Sequence, residues 1–328
     1  MKFKWGIIGS ANIAVQKVIP GIQQSELGEV TAIASRGIDK AEEAAKKLGI
    51  TKAYGSYEAL LADKEIDAVY IPLPNHLHKE WTIKAAKAGK HVLCEKPIAL
   101  TAAEAKEMID VCREEGVVLA EAFMYRHHPR YDQIRALIAA GEIGDIRGIS
   151  GAFTFNAPEN LANVRFQSEW GGGAIYDVGC YPLSAARLLL GKEPEAVTVH
   201  SFFAETHDGV DMMSSGLAEF SDGVALRFDC GMWAESRNQL EIVGSQGRIE
   251  LPNAFAPGEE DQYIVYRNGE KRVEAAAKLN TYTLQADRFV KVVRGEAAPV
   301  VGEYDPQAGM AVLEACLQSA RTRSRVVL

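Results

Sequence analysis

The first 123 residues alternate between apolar runs of strand length and stretches with helical patterning. The runs "KWGIIG", "EVTAIAS", "IDAVYIP", "KHVLCE" and "GVVLAEA" are mainly apolar, which is typical of parallel strands covered on both faces. Between two of these runs, residues 38–48 combine alanines with glutamates and lysines that favour a helix and solvate its outer side. This rhythm predicts an α/β domain with a doubly wound parallel sheet over residues 1–123.

The pattern changes after residue 123. Strand-like runs such as "MMSSGLAEF", "GVALRFDC" and "NQLEIVG" then follow one another, joined by short turns such as Asp222-Gly223, as antiparallel strands would be. These runs also place apolar residues on both sides of the sheet, so a sheet face without helices is a candidate dimer surface. Helices are predicted at 131–140, near Tyr181, at 281–294 and at 305–321. Residues 124–328 are therefore predicted to form a second, α+β domain.

Composition and charge exclude several classes of protein. The 328 residues are 47% hydrophobic, which is enough for two domains with full cores. A formal net charge of -8 without a long basic run argues against a nucleic-acid partner. Five widely spaced cysteines without a CxxC pair predict reduced thiols in a cytoplasmic protein. No signal peptide or membrane-spanning run is apparent.

The stretch "GIIGSANIA", Gly6 to Ala14, resembles a degenerate GxGxxG turn in which Ala11 replaces the second glycine. Gly9 permits a tight turn, Ala11 is small enough for a pyrophosphate to approach, and free amides at the following helix start would hold a phosphate. The predicted cofactor-binding residues here are Gly9, Ser10, Ala11, Asn12 and Ile13. An ordinary corner between strand and helix is the alternative.

The end of the second predicted strand indicates which dinucleotide would bind. An NAD site usually places an acid there, whereas this chain has Ser35 and Arg36. A guanidinium can bind a 2'-phosphate with paired hydrogen bonds, so NADP(H) is favoured and NAD(H) stays possible. A solvated Arg36, with Asp39 as the ribose acceptor, is the alternative.

The segment "CEKP" ends another predicted strand, at the sheet edge where ligands bind. Lys96 in a partly desolvated site can donate a hydrogen bond to a substrate oxygen and assist proton transfer, with Glu95 beside it. An ordinary surface lysine is the alternative.

Three glycines in "GGGAIYDVGCYPL" precede a helix that carries Asp177 and Tyr181, which are four residues apart and share one helical face. Tyr181 could exchange a proton with a carbonyl or hydroxyl oxygen, while Asp177 orients the substrate or Lys96. Capping and packing of the helix is the alternative.

Two further segments carry candidates. In "PLPNHLHKE", Leu73, Asn75 and His78 are predicted to line the cofactor path, and no third ligand with suitable spacing supports a metal site. In "MYRHHPR", Tyr125 and Arg126 are candidates for contact with nicotinamide or substrate. A basic hinge between domains is the alternative for this second segment.

Together, "GIIGSANIA", "ASR", "PNHLHKEWTIKAAKAGKHVLCEKPIAL" and "GGGAIYDVGCYPLSAARLLLG" resemble the Gfo/Idh/MocA oxidoreductases along nearly the whole chain. The segments "KAYGSYEAL", "EAFMYRHHP" and "DVGCY" are similar to the branch of dimeric dihydrodiol dehydrogenase and NADP-dependent D-xylose dehydrogenase. The resemblance implies a Rossmann domain, then an open, largely antiparallel sheet, with nicotinamide at the cleft between them. It also implies a cis Lys96-Pro97 bond, a loop with Arg165 and Trp170 over the cofactor, and a homodimer or dimer of dimers.

The resulting hypothesis is reversible hydride transfer between NADP and a hydroxyl-bearing carbon of a sugar, polyol or cyclic diol, with Lys96 and Tyr181 handling the proton. Asp177, Asn75 and Arg126 would form a polar pocket for such a substrate. Two alternatives are an NAD-dependent inositol or sugar dehydrogenase and a catalytically silent, NADP-sensing regulator of the same fold.

Overall fold

The structure is a computed structural model that describes residues 2–256 and 261–328. The chain divides into two compact units. The first consists of the residues up to His127 together with Asn280–Gln307, and the second of His128–Leu279 together with Ala308–Leu328. The predicted domains, 1–123 and 124–328, place the first break close to this one. They differ from the structure in assigning residues 280–307 to the second domain.

A parallel sheet forms the centre of the first unit. Its strands are β1 (Phe3–Ile8), β2 (Gly28–Ala34), β3 (Lys52–Tyr54), β4 (Ala68–Ile71), β5 (His91–Cys94) and β6 (Leu119–Glu121). They lie in the order β3-β2-β1-β4-β5-β6, and each neighbouring pair is parallel. The order reverses beside β1, which creates the switch point where such sheets bind ligands. The predicted doubly wound sheet is confirmed.

Helices and buried strand residues complete this part of the fold. The connecting helices are α1 (Ile19–Gln23), α2 (Ile38–Leu48), α3 (Tyr57–Leu61), α4 (His78–Lys87) and α5 (Ala102–Glu114). A π-helical segment, Ala14–Val18, leads into α1. Trp5, Ile7 and Tyr70 on β1 and β4 are fully buried, because helices cover both faces of the sheet.

A larger sheet forms the centre of the second unit. Its strands are β7 (Ile146–Asn156), β8 (Ala196–Ala204), β9 (Val210–Glu219), β10 (Ala225–Gly231), β11 (Trp233–Gly244), β12 (Gly247–Pro252), β13 (Gln262–Arg267), β14 (Glu270–Ala275) and β15 (Val326–Val327). Their order is β14-β13-β12-β11-β7-β10-β9-β8-β15. Within this sheet, among the pairs that the described residues form, β7 and β10 run parallel and the others antiparallel. The expected open, mostly antiparallel sheet is therefore present.

The C-terminal half also contributes helices to both units. They are α6 (Pro129–Ala139), α7 (Cys180–Leu190), α8 (Thr281–Val293) and α9 (Asp305–Thr322). Helix α8 belongs to the first unit because its apolar side completes that core: the Phe289 ring lies 5.0 Å from the Trp5 ring, and Thr283 Oγ1 donates to Gly21 O at 2.7 Å. This packing is the physical reason for the difference from the predicted boundaries.

The two faces of the larger sheet differ in polarity. One face packs on α7, where an ideal Cβ at Gly151 would lie 2.8 Å from Pro182 Cβ. The outward residues of β10 include Arg227 and Asp229, whereas β9 directs the exposed Leu217 to this face. The expected apolar residues on the outward side are therefore found on β9, and on β10 they are largely replaced by charges. Exposed apolar side chains on this face include Phe202, Leu217, Trp233 and Val243. In the described ranges, no helix has the length and apolar character needed to cross a membrane.

Candidate active site

The turn after β1 contains a glycine with positive φ and is tied to the neighbouring strand. Gly9 has φ +107°, which other residues rarely adopt, and a Cβ there would lie 2.9 Å from Leu73 Cδ2, so the end of the Leu73 side chain would have to shift. Gly9 N donates to Ala34 O at 2.9 Å, which fixes the turn against the end of β2. The helix begins at Asn12, which is exposed. The neighbouring cofactor candidates Ser10, Ala11 and Ile13 are half-buried.

Arg36 lies at the same edge of the sheet as this turn. Ser35 is buried and donates its amide to Tyr54 O at 3.1 Å, whereas Arg36 is exposed. Burial raises the pKa of Tyr57, and the positive charge of Arg36 opposes that rise, so the two side chains are near each other. The Tyr57 hydroxyl lies 3.8 Å from the position of a Cβ at Gly9. This placement suits both the 2'-phosphate hypothesis and the solvated alternative for Arg36.

The Lys96 loop follows β5 directly and is supported from both neighbouring strands. Lys96 is half-buried, and its peptide bond to Pro97 is cis, as the family resemblance implies. Tyr70 Oη donates to Glu95 Oε1 at 2.5 Å. Ile98 N donates to a carboxylate oxygen of Glu121 at 2.9 Å. Glu95 and Glu121 thus hold the loop, and the Glu95 carboxylate is engaged by Tyr70.

His78 is the first residue of α4 and connects two loops of the site. Its side chain is fully buried; Nδ1 lies 2.9 Å from Pro97 O and Nε2 lies 2.7 Å from Leu73 O. Burial lowers its pKa to about 4, so the ring is neutral at pH 7 and donates to one of these carbonyls. The predicted direct contact between His78 and a cofactor does not fit this placement. His78 instead holds the loop of Leu73 and Asn75, which are both half-buried, beside the Lys96 loop.

Tyr282 of α8 is a neighbour of this loop that sequence reasoning missed. Burial and the Glu95 charge raise the pKa of Tyr282 to about 12, while the Lys96 charge lowers it. An ideal Cβ at Gly21 would lie 2.6 Å from Tyr282 Cβ, so the glycine admits the tyrosine backbone at this point. No local motif marks Tyr282, because its proximity to Lys96 depends on the return of α8 to the first unit.

Arg126 and Tyr125 lie in a short 3-10 turn, Met124–His127. Tyr125 is fully buried. The Arg126 guanidinium is also buried and forms an ion pair with Asp305, with 2.8 Å between Nη1 and Oδ2. This pairing favours the structural alternative for Arg126 over contact with a substrate.

In the second unit, the structure brings together Arg165, Asp177 and Tyr181. Arg165 Nε donates to Asp177 Oδ2 at 2.6 Å. The attraction of Asp177 raises the pKa of Arg165, and Tyr181 contributes to the rise, so all three groups are close. Asp177 is half-buried and Arg165 partly exposed. Trp170, also expected in the cofactor loop, is 39% exposed.

The helix that carries Asp177 and Tyr181 is irregular at its start. Asp177 lies in a π-helical turn, Ile175–Gly179, which continues into α7. Such turns recur at functional sites because they widen the helix and redirect side chains. Tyr181 is 6% exposed, with its ring 5.1 Å from the Phe153 ring and 5.8 Å from the Phe255 ring. The phenol is therefore held in one orientation by aromatic packing.

The triple-glycine turn makes room for close backbone packing. A Cβ at Gly172 would lie 2.5 Å from Arg165 O, and Gly173 N donates to that same oxygen at 2.9 Å. The glycines therefore fix the Arg165 loop against the start of the helix. In the described parts of the chain, no group of three His, Cys, Asp or Glu residues has the arrangement of a metal site.

Comparison with known proteins gives consistent matches over the chain. A sequence profile described as "Oxidoreductase family, NAD-binding Rossmann fold" matches residues 3–123, and one described as "GFO/IDH/MocA C-terminal domain" matches 131–250. The uncharacterized oxidoreductase ORF334 of Rhizobium meliloti is 44% identical, covering 97% of this chain and 96% of the relative. D-xylose 1-dehydrogenase (NADP(+)) 2 of Haloferax volcanii is 38% identical, covering 99% of each. The crystal structure of KijD10, a 3-ketoreductase from Actinomadura kijaniata in complex with NADP and TDP-benzene, has a TM-score of 0.91 and 32% identity, covering 97% of this chain and 98% of that one.

Proposed function

Because this chain belongs to the Gfo/Idh/MocA oxidoreductase family, we propose that it transfers hydride between NADP(H) and a hydroxyl-bearing carbon of a sugar or cyclic diol. The observation that carries the proposal is the Lys96 loop. A half-buried lysine follows β5 at the ligand-binding edge of the sheet, and side chains from β4, α4 and β6 support the loop on either side of it. A loop that carried only a solvated lysine would not need hydrogen bonds from three neighbouring elements to hold it.

The turn at Gly9 fits the cofactor. Gly9, Ser10, Ala11, Asn12 and Ile13 would hold the pyrophosphate through backbone amides. Leu73 and Asn75 would line the path towards nicotinamide, and Arg36 would bind the 2'-phosphate of NADP(H). The bound cofactor supplies the hydride acceptor or donor.

Lys96 and Tyr181 are proposed to handle the proton of the substrate hydroxyl group. In the oxidation direction, the substrate C–H bond breaks as hydride leaves, a carbonyl forms, and the deprotonated phenol oxygen of Tyr181 takes up the hydroxyl proton. Lys96 donates a hydrogen bond to the same substrate oxygen. Arg165, close to Tyr181 and Asp177, stabilises negative charge on the phenol oxygen. Asp177 accepts a hydrogen bond from Arg165, and in the proposed complex it also orients a second substrate hydroxyl.

The names of the relatives support a sugar or sugar-nucleotide substrate. They include a D-xylose dehydrogenase, several dTDP-sugar 3-reductases and trans-1,2-dihydrobenzene-1,2-diol dehydrogenases. An NAD-dependent inositol or sugar dehydrogenase is the second candidate; there the exposed Arg36 would only stack on adenine. A silent regulator is not favoured, since Lys96, Asp177 and Tyr181 are all retained.

A panel of aldoses, inositols, diols and dTDP-sugars, assayed with NADP and NAD by the absorbance of the reduced cofactor, tests the proposal. We expect turnover with NADP and at least one member of the panel. Arg36→Ala should weaken NADP binding about tenfold to hundredfold by removing charge-assisted phosphate bonds, with little effect on NAD. Lys40→Ala, a change at an exposed cation on α2, is the control. Cofactor binding without turnover on any substrate would replace the enzyme proposal by the sensor.

A further inference from the structure

Asp211, near the start of β9, is a buried carboxylate without a role in the proposed chemistry. It is 2% exposed. Its Oδ2 accepts hydrogen bonds from Ile175 N at 2.8 Å and from Ser214 Oγ at 2.9 Å. Ile175 is the first residue of the π-helical turn that carries Asp177. The carboxylate is thus bonded to the backbone from which the Asp177 and Tyr181 side chains project.

The triple-glycine turn is shaped around this carboxylate. A Cβ at Gly173 would lie 2.1 Å from Asp211 Oδ1, a distance at which no side chain fits. Gly173 also has φ +112°, and its carbonyl accepts from Asp177 N at 3.0 Å. Asp211 Oδ1 therefore lies against Gly173, whose carbonyl accepts from Asp177 N, while Asp211 Oδ2 accepts from the amide of Ile175.

Two serine hydroxyl groups connect the carboxylate to the neighbouring strand. The Ser214 hydroxyl donates its hydrogen bond to Asp211, so Ser201, whose oxygen is 2.6 Å from that of Ser214, must be the donor of that contact. This chain of hydroxyl groups runs from β8 through β9 to the helix start. Ser201 donates to Ser214 and Ser214 donates to Asp211, so the Asp211 carboxylate is the final acceptor of this chain.

We propose that Asp211 is a positioning residue: by binding the amide of Ile175, its carboxylate holds the π-helical turn so that Asp177 and Tyr181 face the reacting substrate. The inference rests on the proposed function for its kinetic consequences. Its structural part concerns the second unit alone. Asp211 itself does not touch the substrate.

The ionisation of Asp211 gives the proposal a pH signature. Burial raises its pKa to about 7, against the lowering effects of the Ile175 and Ser214 hydrogen bonds and of the Arg321 charge on α9. The other titratable groups that face it are the buried thiols of Cys230 and Cys316, whose pKa values burial and the Asp211 charge raise. A carboxylate accepts more strongly than a carboxylic acid, so the hold on Ile175 weakens as pH falls below about 7.

The contribution of Asp211 to folding stability changes with pH in the opposite direction to the expected turnover number. This difference distinguishes a positioning role from a purely structural one. Because the folded pKa lies above the unfolded value, the contribution of Asp211 to stability is fully present below the unfolded pKa and is lost as pH rises through about 7. The turnover number should instead rise over this range. A group that acted only on stability would not give rising activity with falling stability.

The test compares Asp211→Asn with Asp229→Asn, a control on β10 whose carboxylate accepts from Ser215 Oγ at 2.7 Å and Arg237 Nη2 at 3.0 Å on the opposite sheet face. In Asp211→Asn we expect kcat to fall about tenfold to hundredfold, since misplacement of reacting groups has effects of this size. NADPH affinity should stay unchanged. The fall of kcat at low pH, which we call its low-pH limb, should disappear. Amide hydrogen exchange of residues 174–181 should become faster.

Exchange and kcat values equal to those of Asp229→Asn would overturn the proposal. Faster exchange in Asp211→Asn, with no turnover of any substrate even by the unmodified chain, would overturn the proposed function and leave the positioning role in place. Should Asp211→Asn fail to fold, Ser214→Ala decides, because removal of a donor that lowers the Asp211 pKa should move the low-pH limb upward. An unmoved limb in Ser214→Ala would contradict the assignment.

Discussion

At the scale of single residues, Gly9 combines a backbone requirement with a steric one. Its φ of +107° is unfavourable for other residues, and Leu73 occupies the space of a Cβ. We expect Gly9→Ala to destabilise the first unit by about 1–3 kcal/mol and to weaken NADPH binding, because the positive φ is strained for alanine and the Leu73 side chain must shift. Urea unfolding and fluorescence titration with NADPH measure the two effects.

Gly49→Ala is the matched control for this glycine. Gly49 also has positive φ, at +67°, at the end of α2, but no atom lies within 4 Å of its Cβ position. The Gly49→Ala variant should therefore lose some folding stability and retain its affinity for NADPH. Equal affinity losses in the two variants would show that Gly9 has no special relation to the phosphate.

Lys96 is the residue on which the proposed chemistry most depends. We expect Lys96→Met to reduce kcat by about 100-fold or more, the usual size of a general acid–base contribution, while NADPH still binds. Lys79→Met is the control, because Lys79 lies on α4 in an exposed ion pair with Glu107 that contributes little to stability. Retained turnover in Lys96→Met would mean that another group manages the proton.

The residues of the site that sequence reasoning anticipated belong to local motifs. Gly9 and Lys96 are marked by their neighbours in the chain, since a strand end and a following turn are visible within ten residues. Tyr282 and Asp211 are not marked in this way. Each acts on a segment far away in sequence, Tyr282 on the Lys96 loop and Asp211 on Ile175, and only the folded chain creates those contacts.

At the scale of elements, periodicity predicted five of the six parallel strands and α2, because buried strands and amphipathic helices leave strong patterns. The three-residue edge strand β3 was not predicted, since it is too short to show a pattern. Two further features escaped it. The π-helical turns at Ala14–Val18 and Ile175–Gly179 differ from α-helix by single hydrogen-bond shifts that side-chain patterning does not encode. The assignment of α8 to the first unit depends on the match between Phe289 and Trp5, which a linear pattern cannot contain.

His78 gives a pH test at this scale, since it joins α4 to the loop after β5. Burial lowers its pKa to about 4 from an unfolded value near 6.5, so its contribution to stability is present above about pH 6.5 and is lost as pH falls towards about 4. The size of the shift corresponds to about 3 kcal/mol. His78→Gln, which keeps one donor, should remove this pH dependence from urea unfolding. His200→Gln, at an exposed position on β8, should retain it.

At the scale of the whole molecule, the sequence predicted a two-domain chain, because the change from buried parallel runs to alternating strands is a property of long segments. The polarity of the large sheet was predicted in part, since the exposed Leu217 of β9 fits the expectation. Strand β10 directs Arg227 and Asp229 outward, where apolar residues were expected. A short strand with mixed residues does not reveal which alternate positions face inward until its partners are known.

The exposed aromatic pair on the large sheet provides the test of association. Phe202 and Trp233 are 45% and 43% exposed, and their rings stack at a centroid distance of 4.6 Å. Together with Leu217 and Val243 they are the exposed apolar side chains named above on this face, so we propose that a homodimer, alone or paired into a tetramer, buries it. Trp233→Glu should then raise the dimer dissociation constant at least about tenfold in sedimentation, as loss of an interface aromatic does. Leu161→Glu, at a 53% exposed position before Val164, should leave it unchanged. A monomer at micromolar concentration in the unmodified protein would exclude the proposed dimer, and the aromatic pair would then need another partner.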